Sequence, residues 1–402
     1  TAESSAENLV WVKKAEAAEK KYNFKFDNRT APNLTVELAA STLAGVRMTD
    51  ILFTSISVAF PSFIAKDLIL PLDEYLDYES PLIKANPSMY KGTFWKGTGK
   101  HYGIRKGGPT KNAGCLLFYN KAILDREGQP DINELVEQNQ WTWETMRNIA
   151  LYCTKDINGD GILDQYGIAA KNNWEFVKYT LYSNGVTGID FDSNNKMIYS
   201  MNSPQALRAL QFTVDLAFVD KVFTASQNSY ANGICAMFVT NDLSANAKFI
   251  TQGLQSYVSA LPMGVDVNDY QNWGNTNFYA LSSLCENPDA VAKIFAEISI
   301  LWDENLKEIP ELVEAKEKFK PDSWLWDPTN GSSRYYMGEK EFNIQAMLVT
   351  KMVPDYTGGV PNLSSLFNTK LATPIFNGNM SVNQAVDSIR DEVQAILDEF
   401  NN

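Results

Sequence analysis

Hydrophobic and polar positions along the chain recur with two periods, and the period changes repeatedly. In residues 5–22, Leu9, Trp11, Val12, Ala15 and Ala18 form an apolar stripe near helical spacing, with Ser5 placed to cap it. FKF at 24–26 predicts a short strand, 33–44 a second helix ending at Gly45, and MTDILFT at 48–54 a buried strand. The polar TSIS that overlaps the end of this strand lies at its carboxyl end, where open α/β sheets gather ligands. CLLFYN at 115–120 predicts another buried strand. Residues 141–153 predict a helix capped by Thr142, with Trp141 and Trp143 turned into the core. Further helices are expected at 174–183, 204–219 and 241–252. Strands are expected at 234–239, at 258–264 (running into a turn) and at 278–284. Asn287-Pro288 opens an amphipathic helix over 287–304. Residues 381–400 place Val382, Ala385, Val386, Ile389, Val393, Ile396, Leu397 and Phe400 on one face, as in a helix docked on a surface. This helix–strand rhythm predicts an α/β architecture.

At 402 residues the chain is too long for one ordinary core, so two or three domains are expected. Its 48 acidic against 35 basic residues give a formal net charge of −13, which disfavours a nucleic-acid partner. The single histidine, His101, argues against His-based zinc sites and reads as a polar residue opening a strand. Cys115, Cys153, Cys235 and Cys285 stand apart in apolar surroundings, as buried free thiols do. No run of about 18 apolar residues is present, so no membrane span is predicted. The opening TAESSAENL has no signal-peptide core, which fits either a cytoplasmic protein or one whose leader has been removed.

One loop carries metal-site chemistry. DINGDGILDQYG at 156–167 places Asp156, Asn158, Asp160, the carbonyl of Ile162 and Asp164 at EF-hand positions 1, 3, 5, 7 and 9, with Gly161 at the sharp turn. Position 12 is Gly167, so the usual bidentate Glu is absent; Asp164, with Gln165 or water, would complete the shell. The pattern predicts a structural calcium clip rather than a sensor, because no second EF-hand follows. The competing reading is a bare Asx-rich turn.

Aromatic and planar polar residues concentrate at segment ends. Trp174 follows Asn172-Asn173; Asn241 and Asp242 follow the strand at 234–239; Trp273 and Asn275 precede the strand at 278–284. Trp324, Trp326, Arg334, Tyr335 and Tyr336 share a polar loop. Sugars present apolar C–H faces to aromatic rings and hydroxyls to amides, so these residues predict a saccharide site; Arg334 would suit a carboxylate on the ligand. No P-loop, Rossmann fingerprint, GxSxG motif or distinctive carboxylate pair points to catalysis.

The ordered pieces EAAEKKYNFKF, STLAGVRMTDILFT, DLILPLDEYL, KHYGIRKGG, LLFYNKAILDREG, WTWETMRNIALYCTKDINGDGILDQYGIA, YANGICAMFV, ALPMG and NPDAVAKIFAEIS span most of the chain. Together they resemble the extracellular solute-binding proteins of carbohydrate ABC transporters, of the large type related to maltose-binding protein. The resemblance implies a two-lobed periplasmic-binding-protein type II fold, with a hinge and a ligand cleft between lobes. It implies a first lobe of 1–114 plus about 263–310, and a second of about 115–262 plus 311–402. The crossings fall just before 115–120, near 261–264 and around 305–320. It places Ser55 and Asn241 in the cleft. It further implies a binder of a carbohydrate, an oligosaccharide for choice, and not an enzyme. Such a protein is extracellular, cell-surface anchored or periplasmic, monomeric, held to the membrane only by a lipid anchor on a leader-proximal cysteine outside these residues, and served by permease subunits. A glycan-active enzyme, a surface sensor or adhesin, or a binder of another solute are the alternatives on the same fold. Relatives usually begin with a strand ahead of the first helix, and here only TAES precedes it.

Overall fold

A computed structural model describes residues 6–84, 90–105, 114–275, 277–300 and 338–401. Local signals set most element starts. Asn33 caps Leu34–Leu43, Thr142 caps Trp143–Tyr152 through the Thr145 amide, and Ser203 caps Pro204–Val214, with proline at its first turn. Ser381 and Gln384 form a reciprocal capping box for Val382–Asp398. FKF at 24–26 is no strand; Phe24 and Phe26 instead meet edge to face, and Phe26 packs on Phe295.

Two sheets organise the chain. In the first lobe, Ile51–Ser55 pairs antiparallel with Asn277–Leu281, and single bridges from Ile69 and Ile104 extend the pairing. The second lobe holds five strands in the order Ser256–Ser259, Leu116–Asn120, Cys235–Thr240, Tyr166–Ala170 and Phe223–Thr224. The first two contacts are antiparallel and the last two parallel. Leu116–Asn120 and Cys235–Thr240 are buried at every position, as their unbroken apolar runs require. Trp141 and Trp143 are core residues: Trp141 donates to the Ala260 carbonyl, while Trp143 donates to Ser183 Oγ and stacks on Phe212.

Residues 261–264, expected at the second crossing, stay with the second lobe. The Met263 amide donates to the Trp141 carbonyl, its carbonyl accepts from Trp143, and the Gly264 amide donates to Ser183. The chain leaves later: Asn272–Gly274 pairs in parallel with Met352–Pro354, and Asn277 opens the first-lobe strand. The third expected crossing, at 305–320, lies outside the described residues.

The second lobe also carries a hairpin, Ile189–Phe191 with Met197–Tyr199, held by the C-terminal helix. The Met197 amide donates to Asn401 Oδ1, the Tyr199 amide to Gln394 Oε1, and the Tyr199 hydroxyl to the Val386 carbonyl. His101 is structural: it is buried, stacks on Tyr78 at 3.9 Å and bonds Asp73 through Nδ1 at 2.8 Å. The four cysteines are free thiols, three buried and Cys285 partly so. No helix among the described residues is long and apolar enough to cross a membrane.

Candidate ligand cleft

Both sheets present the relevant strand ends toward the crossings. In the first lobe, Ser55 ends its strand opposite Asn277. Its hydroxyl lies 3.1 Å from Ser57 Oγ. Asn275, just beyond the second-lobe segment, holds Ser57 twice: its Oδ1 accepts the Ser57 amide at 2.9 Å, and its Nδ2 donates to Ser57 Oγ at 2.6 Å. Asn275 is exposed and both serines partly so, so these hydroxyls and the amide are available to a ligand. Arg105 lies at the other edge of the strand Asn277–Leu281, next to the Ile104 bridge, its Nε donating to the Asn277 carbonyl at 3.0 Å.

In the second lobe, Ala170 pairs beside Val239 and Leu116 beside Thr240, so three segment ends share one edge. Asn172 caps the helix Asn173–Ser183 there, and Asn241 and Asp242 follow Thr240 as exposed residues. Lys178 pairs with Glu175 at 2.9 Å. Burial alone would lower the Lys178 pKa, but Glu175, Cys115 and Asp355 outweigh it and the net shift is upward. The Tyr182 hydroxyl donates to Asp355 Oδ2 at 2.5 Å, and the Thr357 amide and hydroxyl both donate to Oδ1. Burial, with Asp355 adding to it, pushes the Tyr182 phenol well up, so it stays a donor.

Asn272 joins the strands of the crossing. Its Oδ1 accepts the Cys115 amide at 3.1 Å and its Nδ2 donates to the Leu348 carbonyl at 2.7 Å. Beside this knot, Trp273 Nε1 donates to the Tyr182 carbonyl, and the Asp355 amide donates to the Gly274 carbonyl. The lobes also touch through rings. Trp95 of the first lobe meets Phe191 and Tyr356 of the second edge to face, at 5.3 and 4.7 Å, and the Tyr356 hydroxyl donates to the Phe94 carbonyl. Lys96 lies 5.2 Å over the Phe191 ring. Gly359 lies directly against the Phe60 backbone.

The predicted residues divide accordingly. Ser55, Trp273 and Asn275 gather at the crossing, and Asn241 and Asp242 lie at the second sheet's edge. Trp174 does not line the cleft: it is 6% exposed and packs on Phe367 inside the lobe. Its place in the first turn of an amphipathic helix turns it toward the core. Trp324, Trp326, Arg334, Tyr335 and Tyr336 lie outside the described residues. Sequence patterning missed Arg105, Ser57, Asp355 and Tyr356; Ser57 alone had a signal, as part of TSIS.

The loop at 156–167 closes on itself. Asp156 accepts the Gly159 and Gly161 amides, Asn158 that of Asp160, Asp160 that of Ile162, and Asp164 those of Ile157 and Asn158. The donors are all oxygen, as calcium requires, and Asp160 Oδ2 and Asp164 Oδ1 accept no hydrogen bond from described residues. Yet no three Asp, Glu, His or Cys side chains among the described residues gather tightly enough to hold a metal. Gln165 is no ligand: it is 2% exposed, its Nε2 donates to the Cys153 carbonyl and Glu127, and its Oε1 accepts from Arg126.

No protein-family profile and no curated protein sequence matches the chain. Solved structures do. A cyclo/maltodextrin-binding protein complexed with maltotetraose superposes with a TM-score of 0.65 at 16% identity, over 99% of this chain and 95% of that one. UspC of M. tuberculosis gives 0.66 at 18% identity, over 96% of each chain. An ABC substrate-binding protein of Listeria monocytogenes in complex with cycloalternan gives 0.59 at 16% identity, over 98% and 97%. The chain therefore has the two-lobed fold of periplasmic-type sugar-binding proteins.

Proposed function

We propose that this chain is the extracellular substrate-binding component of an ABC importer, which captures a carbohydrate between its lobes and delivers it to membrane permease subunits. The observation that carries the reading is the pairing of Ser57 with Asn275, beside Trp273 and Ser55. It puts hydroxyl and amide groups together where two lobes meet, with Trp273 two residues before Asn275. Hydrogen-bonding amides with an aromatic ring are the complement of a sugar. Three neighbours that share the fold are complexed with saccharides, maltotetraose, cycloalternan and β-1,6-galactobiose. Ligand that touches both lobes favours closure, and the closed population is the form a permease reads. The chain acts as a monomer, outside the cytoplasm, and any membrane attachment is through a lipid anchor.

Calcium belongs to the same proposal, as a clip on residues 156–167. Asp156, Asn158, Asp160, the Ile162 carbonyl and Asp164 would hold it, and the ion would fix the loop rather than touch ligand. The sequence spacing supports this; Gln165 is left out of the set.

The test is a thermal shift of the purified protein against mono- and oligosaccharides, followed by recovery of the ligand. A sugar at a hundred times its Kd adds roughly 2.7 kcal/mol, enough to move the midpoint by degrees. Recovery of that sugar unaltered supports a binder, cleavage products support a glycan-active enzyme, and a flat panel overturns the sugar reading.

A further inference from the structure

Among the described residues, arginines pair with carboxylates, with one exception. Of the seven described arginines, six pair with a carboxylate: Arg29 with Asp27, Arg47 with Asp50, Arg126 with Glu127, Arg147 with Asp220, Arg208 with Asp266 and Arg390 with Asp387. Arg105 has none among the described residues. Among the described residues its one hydrogen bond runs from Nε to the Asn277 carbonyl, and no described acceptor meets its two terminal nitrogens. The surrounding protein withdraws water from the guanidinium and lowers its pKa to about 10, yet the residue stays partly exposed. It remains charged near pH 7, and a desolvated charge without a partner is costly until a counter-charge arrives.

We infer that the cleft takes an anionic saccharide, and that Arg105 is the group that recognises its negative charge. The inference rests on the proposed sugar-binding role. The Asn277 carbonyl orients the guanidinium plane through Nε, leaving the terminal nitrogens for a pair of ligand oxygens, the geometry that suits a carboxylate or a sulfate ester. Asn277 is the ladder partner of Ser55, and Ser55 leads through Ser57 to Asn275, so the charge reader and the hydroxyl and amide groups fit for the ring hydroxyls flank the same end of the strand Asn277–Leu281, on its opposite edges.

The experiment is titration calorimetry with oligosaccharides of equal length in four forms: neutral, uronate-bearing, the methyl ester of that uronate, and sulfate-bearing. Arg105→Gln and Arg105→Lys are run beside the native chain, with melting curves to verify folding. The native chain is expected to bind the uronate or the sulfate at least tenfold more tightly than the neutral sugar and the ester, and the preferred anion identifies the source. Arg105→Gln should erase the preference, and Arg105→Lys should retain part of it. If Arg105→Gln does not fold, the native preference for acid over ester, and its weakening with added salt, decides. Equal binding of neutral and anionic sugars overturns the inference and leaves the sugar-binding role standing. No binding of any form overturns both.

Discussion

The Oδ1 atom of Asn272 lies 2.1 Å from where a Cβ on Gly114 would fall, and Gly114 has a φ of +72°. Only glycine allows the first crossing to pass this close to the amide that ties it to the third portion of the chain. Asn272→Ala leaves the Cys115 amide and the Leu348 carbonyl without partners in a buried site, which costs about 1–3 kcal/mol. Gly114→Ala adds a steric clash and left-handed strain to the same point. Both should lower the urea midpoint; an unchanged midpoint for Asn272→Ala would show that the knot is not held by its side chain.

Gly359 makes a second close approach, this time between lobes. A Cβ there would sit 1.6 Å from the Phe60 carbonyl oxygen. Gly359→Ala should push the lobes apart, raise the radius of gyration of unliganded protein in small-angle scattering, and weaken sugar binding about tenfold, or roughly 1.4 kcal/mol. An unaltered radius and affinity would exclude this segment from the control of closure.

Acid should weaken the link between Asp266 and its partners. Arg208, and after it Asn184, hold the Asp266 carboxyl below the usual range. A depressed folded-state pKa stabilises the protein above the unfolded value, about 3.9, and that contribution disappears as pH falls through the lower folded value. Arg208 is half exposed, so the pair contributes about 0.5–1 kcal/mol. Asp266→Asn should therefore lower stability at pH 7 by that amount and by little at pH 2. An equal loss at both pH values would mean that charge is irrelevant there.

For the loop at 156–167, Asp160→Asn keeps an oxygen for the Ile162 amide and removes the charge. Native protein purified in calcium should hold one equivalent by elemental analysis and melt lower in chelator, and the variant should hold less. Native protein holding far less than one equivalent leaves the loop a self-capped turn.

Elements with strong local signals were legible from sequence alone. Thr142 caps where its side chain suggests, and the strands Leu116–Asn120 and Cys235–Thr240 are buried. The cleft was legible only in part, because its residues are brought together by chain crossings. Trp174 and Trp273 look alike in sequence, each beside asparagines, yet one faces Phe367 in the core and the other the crossing. Periodicity says which face of a helix is apolar, not which lobe covers it. Gln165 fits a coordination series on paper, but Glu127 and Arg126, some 38 positions away, claim both ends of its amide. Arg105 stood out only once the other arginines were seen to be paired.

The C-terminal helix never approaches the serines of the cleft, yet it decides where one side of the ring contact stands. Asn401 and Gln394 splint the strand Met197–Tyr199, that strand carries Ile189–Phe191, and Phe191 meets Trp95 across the lobes. Affinity is thereby indebted to residues at the far end of the polypeptide. Fraying the last two turns would slacken the grip on ligand while every contacting side chain remained intact.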